Sequence, residues 1–282
     1  MKKLLTLFLS LLLCFSVCTG LTACNKEETK AILVKNFVLA EEEYGIAAKK
    51  GNDALISKIN EALIAIADTD YLSVAKKYGL ESELLITSTT ENPNASATDN
   101  SWNNLVSSGK LILGYTIFAP IAFKDSKAKL TGFDIDLAKK VVEYWNTTYS
   151  TSIVLEPMII EWASKEANLE NGTIDVVWNG MTITAERLAG MSISLPYLKN
   201  QQVAVIREAD KDIFKDADSM KNAVMGAEKG SAGESAISSN SLGKKYMSFT
   251  SQLDAYNQLK AGTVDVVVID SIMANYYISK DK

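Results

Sequence analysis

The chain of 282 residues carries 29 basic and 34 acidic side chains, a net charge of −5, and no histidine. An acidic chain is a poor partner for nucleic acid, and the lack of histidine removes imidazole bases and histidine-based metal sites. With 47% hydrophobic residues, the length suits two α/β units of about 100 to 150 residues each.

Residues 1–23 read as a secretion signal: Lys2 and Lys3, then an apolar run from Leu4 to Val17, then small and polar residues. The run closes on Leu21-Thr22-Ala23-Cys24, which resembles the bacterial lipobox. Cys24 is therefore expected to be acylated and to begin the mature protein, with residues 24–30 as a polar tether. Cys14 and Cys18 leave with the signal and Cys24 loses its thiol to the lipid, so no disulfide is expected. No later stretch is apolar enough to span a bilayer, so the protein is expected to be tethered rather than inserted.

Beyond the tether, strands are expected at Ile32–Leu39 and Tyr44–Ala48, before a turn at Lys50-Gly51-Asn52. Asn52 or Asp53 can cap a helix whose Leu55, Ile59, Leu63 and Ile66 recur at helical spacing. A second helix carries Tyr71, Val74, Ala75 and Tyr78, with Gly79 as its stop. Thr87–Asn100 is a loop by composition. Regular alternation follows: strand Leu111–Gly114, helix Phe133–Trp145, strand Ile153–Glu156, helix Ser164–Glu170 and strand Ile174–Trp178. The strand Gln202–Ile206 crosses into a second unit. That unit holds strand Ala223–Ala227, helix Ala232–Ser239, strand Tyr246–Phe249, helix Gln252–Leu259, strand Val264–Ile269 and helix Ser271–Ser279.

One phrase occurs in both units: Asn171-Gly172-Thr173-Ile174-Asp175-Val176-Val177 and Ala261-Gly262-Thr263-Val264-Asp265-Val266-Val267. Each copy leads into a strand that is apolar without a break, the pattern of a buried parallel strand. Asp175 and Asp265 read as turn residues. The two strand ends can then face one cleft, where open α/β sheets usually hold ligands.

The first strand runs into Trp178-Asn179-Gly180-Met181-Thr182-Ile183-Thr184-Ala185-Glu186-Arg187. Backbone N–H groups, a hydroxyl and a guanidinium in that order suit a carboxylate, although a capped helix with Arg187 in a surface ion pair fits the spacing equally. The second strand ends in Asp270, which can accept from an ammonium group or cap the helix that follows. An arginine on one unit and an aspartate on the other describe a pocket for a zwitterion such as an α-amino acid. Asp134 and Asp136 fall on different faces of a helix start, where they favour the helix dipole and are not a catalytic pair.

The stretch from Trp102 to Asp281 resembles the family 3 extracytoplasmic solute-binding proteins of polar amino-acid ABC transporters. The resemblance rests on Gly114–Pro120 (GYTIFAP), Thr131–Ala138 (TGFDIDLA), Asn179–Arg187, Pro196-Tyr197, Gly230-Ser231-Ala232 and Val264–Asp270. It implies a two-lobed, periplasmic-binding-protein-like α/β fold of type II and a lipid-anchored, extracytoplasmic monomer. Such a protein captures a free amino acid and delivers it to the permease of an ABC transporter, with no cofactor, metal or catalysis. It further implies Phe118 and Trp162 as aromatic walls, Asn179 and Gly180 as ligand contacts, and Thr182 and Arg187 as carboxylate holders. Ser231 and Ala232 would add N–H donors, and Asp270 would hold the ammonium. Where the family often has an acidic residue, this chain has Tyr115-Thr116-Ile117. A cyclohexadienyl dehydratase-like enzyme, with Glu161 as its acid, and a sensory module are the alternatives on the same scaffold.

The order of the pieces departs from the family. A segment like Leu39–Glu83, with Glu43-Tyr44-Gly45-Ile46-Ala47 and Lys49-Lys50-Gly51, closes the family's chains but comes first here. The sequence therefore reads as a circular permutation, with residues 84–101 joining the family's usual ends across a coil span of roughly 23 Å; the alternative is a fusion of two neighbouring gene fragments or an assembly error, which leaves every piece of one family member present once. The lobes implied are 42–198 for the first, and 31–41 with 199–282 for the second.

Overall fold

The computed structural model describes residues 29–281; the signal, Cys24 and the first part of the tether lie outside the described residues. In chain order the elements are β1 (Ala31–Lys49), α1 (Asp53–Ala65), α2 (Leu72–Tyr78), α3 (Ser101–Ser108), β2 (Lys110–Tyr115), β3 (Phe123–Lys124) and β4 (Leu130–Thr131). Next come α4 (Phe133–Thr148), β5 (Val154–Ile159), α5 (Lys165–Glu170), β6 (Val176–Thr182), α6 (Ala185–Gly190), β7 (Met191–Ile193) and β8 (Leu198–Arg207). The remainder is α7 (Ala217–Met220), β9 (Val224–Glu228), α8 (Ala232–Ser239), β10 (Lys245–Phe249), α9 (Gln252–Lys260), β11 (Val266–Asp270) and α10 (Ser271–Lys280).

Nine of the described strands form one mixed sheet in the order β10-β9-β11-β8-β1-β6-β2-β5, with β7 beside β1, while β3 and β4 pair with each other apart from it. Its two ends have the same plan. In β5-β2-β6 and in β10-β9-β11 neighbouring strands are parallel, the earliest in sequence sits in the middle, and the latest lies innermost. The innermost strands β6 and β11 are those that follow the repeated phrase, and every residue in both is buried. Their continuous apolar sequence reflects helices on both faces.

The repeat's aspartates do more than turn the chain. Asp175 accepts from Ile112 N at 2.7 Å, and Asp265 accepts from Val224 N at 2.8 Å. Each carboxylate thus staples the start of the neighbouring parallel strand, where the ladder has not yet begun.

Between the two parallel groups run β1 and β8, antiparallel to each other and to the innermost strands. The two strands expected at Ile32–Leu39 and Tyr44–Ala48 are one continuous strand, β1, because β8 pairs with the acidic stretch Glu41–Glu43 as well. Leu33 pairs with Val205 and Ala40 with Gln202, so β1 carries a bulge in which Asn36 takes φ 55°. The first strand of the described residues is therefore embedded in the centre of the sheet.

Both helices after β1 are as expected, Gly79 closing α2 at φ 69°. The capping of α1 is not: Asn52 makes no side-chain cap bond. The loop after residue 86 does it instead, with Asp99 Oδ2 accepting from Ala54 N at 2.6 Å and Ser101 Oγ from Leu55 N at 2.9 Å. That loop ends in α3, a helix missing from the sequence expectation, whose Trp102 packs edge-on against Trp145 of α4.

Beside the β5-β2-β6 group one core lies under α1–α4 and a smaller one, holding Trp162, lies against α5; two more lie beside the β10-β9-β11 group, one with α8 and one with α9 and α10.

Candidate ligand-binding site

The innermost strands end facing each other across β1 and β8, and there the nine residues expected to bind ligand line a single cavity. Phe118, Trp162, Asn179, Gly180, Thr182 and Arg187 come from the β5-β2-β6 side, and Ser231, Ala232 and Asp270 from the other. Thr116, Glu228 and Gln252 complete the wall. The space between them is about 10 Å³, enough for about one water molecule.

β6 continues past the expected Trp178 to Thr182, which carries Asn179 and Gly180 into the cavity wall. Gly180 has φ 59°, and a Cβ there would lie 2.7 Å from Phe118 Cε1. Only glycine lets this strand turn while Phe118 packs against it. Its N–H donates to Asp134 Oδ2 at 2.8 Å, and Tyr197 OH donates to the same carboxyl. Asp134 therefore holds the strand end in place; the dipole role expected for it is secondary. Burial pushes its pKa up to about 7, against the downward pull of those hydrogen bonds. Asp136 does point elsewhere: hydrogen bonds from Lys139, Lys77 and Tyr78 outweigh its burial and bring it down to about 2.

Thr184 caps α6 by accepting from Arg187 N at 3.1 Å, so the helix is capped as the spacing allowed. The arginine is not in a surface ion pair. Nη1 donates to Thr182 O at 2.8 Å and Nη2 to Gly230 O at 3.2 Å on the far side of the cavity. Burial lowers its pKa, while Glu166, Glu42 and Asp270 oppose that shift without touching it. Two carbonyls fix the guanidinium and leave its other N–H groups for an anion.

Asp270 occupies the cap position of α10 yet makes no cap bond, since its side chain turns into the cavity. Tyr44 OH donates to Oδ1 at 2.7 Å, Asn200 Nδ2 at 2.5 Å and Gln202 Nε2 at 2.9 Å, and Gln252 Nε2 donates to Oδ2. Burial, then the nearby Glu42, raise the Asp270 pKa well above the usual range. Glu42 itself accepts from Thr182 Oγ1 at 3.0 Å. It sits in the run Glu41–Glu43, and no local feature of that run singles it out.

The loop after β9 crosses over at Gly230, φ 73°. Ser231 N donates to Glu228 O at 3.2 Å, so that N–H is already engaged. Ala232 opens α8, where the first N–H groups have no intrahelical partner. Asn179 pairs with Thr116, accepting from its N–H at 3.2 Å and donating to its Oγ1 at 3.1 Å. Glu228 and Thr116 were findable in the sequence, since both sit at strand ends as Asp270 does. Glu161, by contrast, is exposed and does not line the cavity.

The family model of bacterial extracellular solute-binding proteins, family 3, matches residues 111–255, just over half of this chain. The chain belongs to that family. It is 26% identical over 179 residues to the L-cystine-binding protein TcyJ of Escherichia coli (strain K12), a match covering 63% of this chain and 65% of that protein. The match thus spans just under two thirds of that relative's length. An ABC uptake transporter substrate binding protein from Streptococcus pneumoniae, solved with bound histidine, aligns with a TM-score of 0.57 at 30% identity, covering 65% of this chain and 74% of that one. The ancestral amino acid-binding protein AncCDT-1, a precursor of cyclohexadienyl dehydratase, aligns with a TM-score of 0.57 at 27% identity, covering 63% and 77%. Among the described residues of this family 3 protein, no helix is long and apolar enough to cross a membrane.

Proposed function

We propose that this family 3 protein is a lipid-anchored extracytoplasmic receptor that captures a free amino acid between two lobes and hands it to the permease of an ABC transporter. One observation carries the reading: Arg187 and Asp270 line opposite sides of one cavity. Their charges match the carboxylate and ammonium of an α-amino acid, with Thr182 and the Ala232 N–H beside the carboxylate. Asn179 and Gly180 shape the strand end, while Phe118 and Trp162 wall the side chain. The amino acids named for its relatives, cystine and histidine, agree with that class. Because the cavity holds about one water, a ligand enters only when the lobes separate, with β1 and β8 as the hinge.

The circular permutation belongs to the same reading. Ala31, near the start of the described chain, shares a hydrophobic cluster with Tyr277 and Ile278, near its end. Adjacent ends are what a closed and reopened chain requires. The lobes would then be 42–198, including linker 84–101, and 31–41 with 199–282.

Glu161, the acid expected for a dehydratase, faces solvent and lies outside the cavity lining, which does not favour that alternative. A thermal-shift screen of the twenty amino acids and cystine tests the proposal. A ligand at 100 times its dissociation constant adds about 2.7 kcal/mol; no shift with any of them would remove it. Pull-down of a permease separates transport from sensing.

A further inference from the structure

Glu228 closes β9 at the cavity wall and is only 3% exposed. Its Oε1 is fully buried and has no hydrogen-bond partner. Buried carboxyl oxygens are rarely left so, because desolvation without a donor costs stability.

The neighbouring cations do not supply the donor. Lys165 Nζ pairs with Glu166 Oε1 at 2.8 Å and contacts the carbonyls of Trp162 and Gly230 at 3.4 Å. Arg187 donates to Thr182 O and Gly230 O. An α-amino acid would place its carboxylate on Arg187 and its ammonium on Asp270. Glu228 is then the acidic group in the wall that the ligand's backbone does not use.

We propose that Glu228 is the specificity-determining residue of this site, receiving a guanidinium or ammonium at the end of the ligand's side chain, so that the ligand is a basic amino acid. The inference rests on the amino-acid-binding reading above. The ring face of Phe118 suits the same cation, whereas Lys165 and Arg187 already lie over the Trp162 ring. An acidic side chain would bring a carboxylate against Glu228, and an apolar one would leave Oε1 unpaired. Burial pushes the Glu228 pKa up to about 8, with Lys165 drawing it down. An incoming cation replaces that proton, as an opposite charge favours the ionised form.

Calorimetry on the whole protein with two matched pairs tests this: L-arginine against L-citrulline, and L-lysine against L-norleucine. A charge-assisted bond at a buried carboxylate should make at least one cation about tenfold or more tighter than its neutral partner. Glu228→Gln should bring that ratio close to one, with the loss falling on the cation. Since the substituted amide carries no charge to bury, the melting temperature of this variant should not fall. A neutral or acidic amino acid binding more tightly than both cations overturns the inference alone, as does a ratio that Glu228→Gln leaves unchanged. If no amino acid binds the wild-type protein, the underlying reading fails and takes this one with it.

Discussion

Glu42 and Asp270 offer one carboxyl oxygen each to the same two amides: Asn200 Nδ2 is 2.5 Å from both, and Gln202 Nε2 is 2.8 and 2.9 Å away. One comes from the first strand of the chain and the other from the last. Two carboxyls held this close cannot both ionise cheaply, and an arriving ammonium would relieve them together.

Asp270→Asn should therefore weaken amino-acid binding by about 3–5 kcal/mol, the cost of removing one partner of a buried charged pair. Glu42→Gln should cost less, because Glu42 makes its cavity contact through Thr182. The double variant should depart from additivity by about 0.5–3 kcal/mol. Calorimetric titration of the four proteins measures this, and strict additivity would separate Glu42 from the site.

Arg187→Ala should abolish most binding, again by about 3–5 kcal/mol. Arg187→Lys should not restore it, since a single ammonium cannot span Thr182 O, Gly230 O and a carboxylate at once. The comparison is made by dissociation constants for the best amino acid from the thermal screen.

Asp134 sets a pH dependence of stability. Unfolded, it loses its proton near pH 3.9; folded, it keeps it to about pH 7. The folded state binds the extra proton in that window, so stability falls as pH rises from about 4 to 7, by about 4 kcal/mol in all. Asp134→Asn cannot ionise, so relative to wild type it should gain across the same window. Urea unfolding at pH 4, 5.5 and 7.5 reads the difference, which a constant offset would contradict.

Gly180→Ala should destabilise the fold by about 2–4 kcal/mol, combining left-handed backbone strain with overpacking against Phe118 and Tyr44. Chemical denaturation gives the figure. Binding should fall too, because the Gly180 turn aligns Asn179 with Thr182.

A chain with Asp281 joined through a short linker to Lys30 and Ala31 and with new ends opened within residues 87–100 should fold and bind within about threefold of the original, since no residue of 87–100 is buried. A reordered chain that folds but no longer binds would show that the loop capping α1 does more than connect.

Local pattern was enough for much of this protein. Residue periodicity placed most strands and helices, the repeated phrase marked the two equivalent innermost strands, and the family resemblance, not local pattern, named the nine residues that line one cavity. The first two signals are carried by spacing within one element or at its end. What depends on distant segments meeting emerged only in the folded chain. Glu42 becomes part of the site because β1 runs beside β8 and β6, and Gln252 because α9 begins under Asp270. Asp134 acts on Gly180, and Asp99 caps α1 from a loop. Asp175 and Asp265 looked like turn residues because their contacts, the amides of Ile112 in β2 and Val224 in β9, lie 63 and 41 positions away. A carboxylate's acceptor lone pairs can be read from its name, but the donor that fills them is fixed only once the chain has folded.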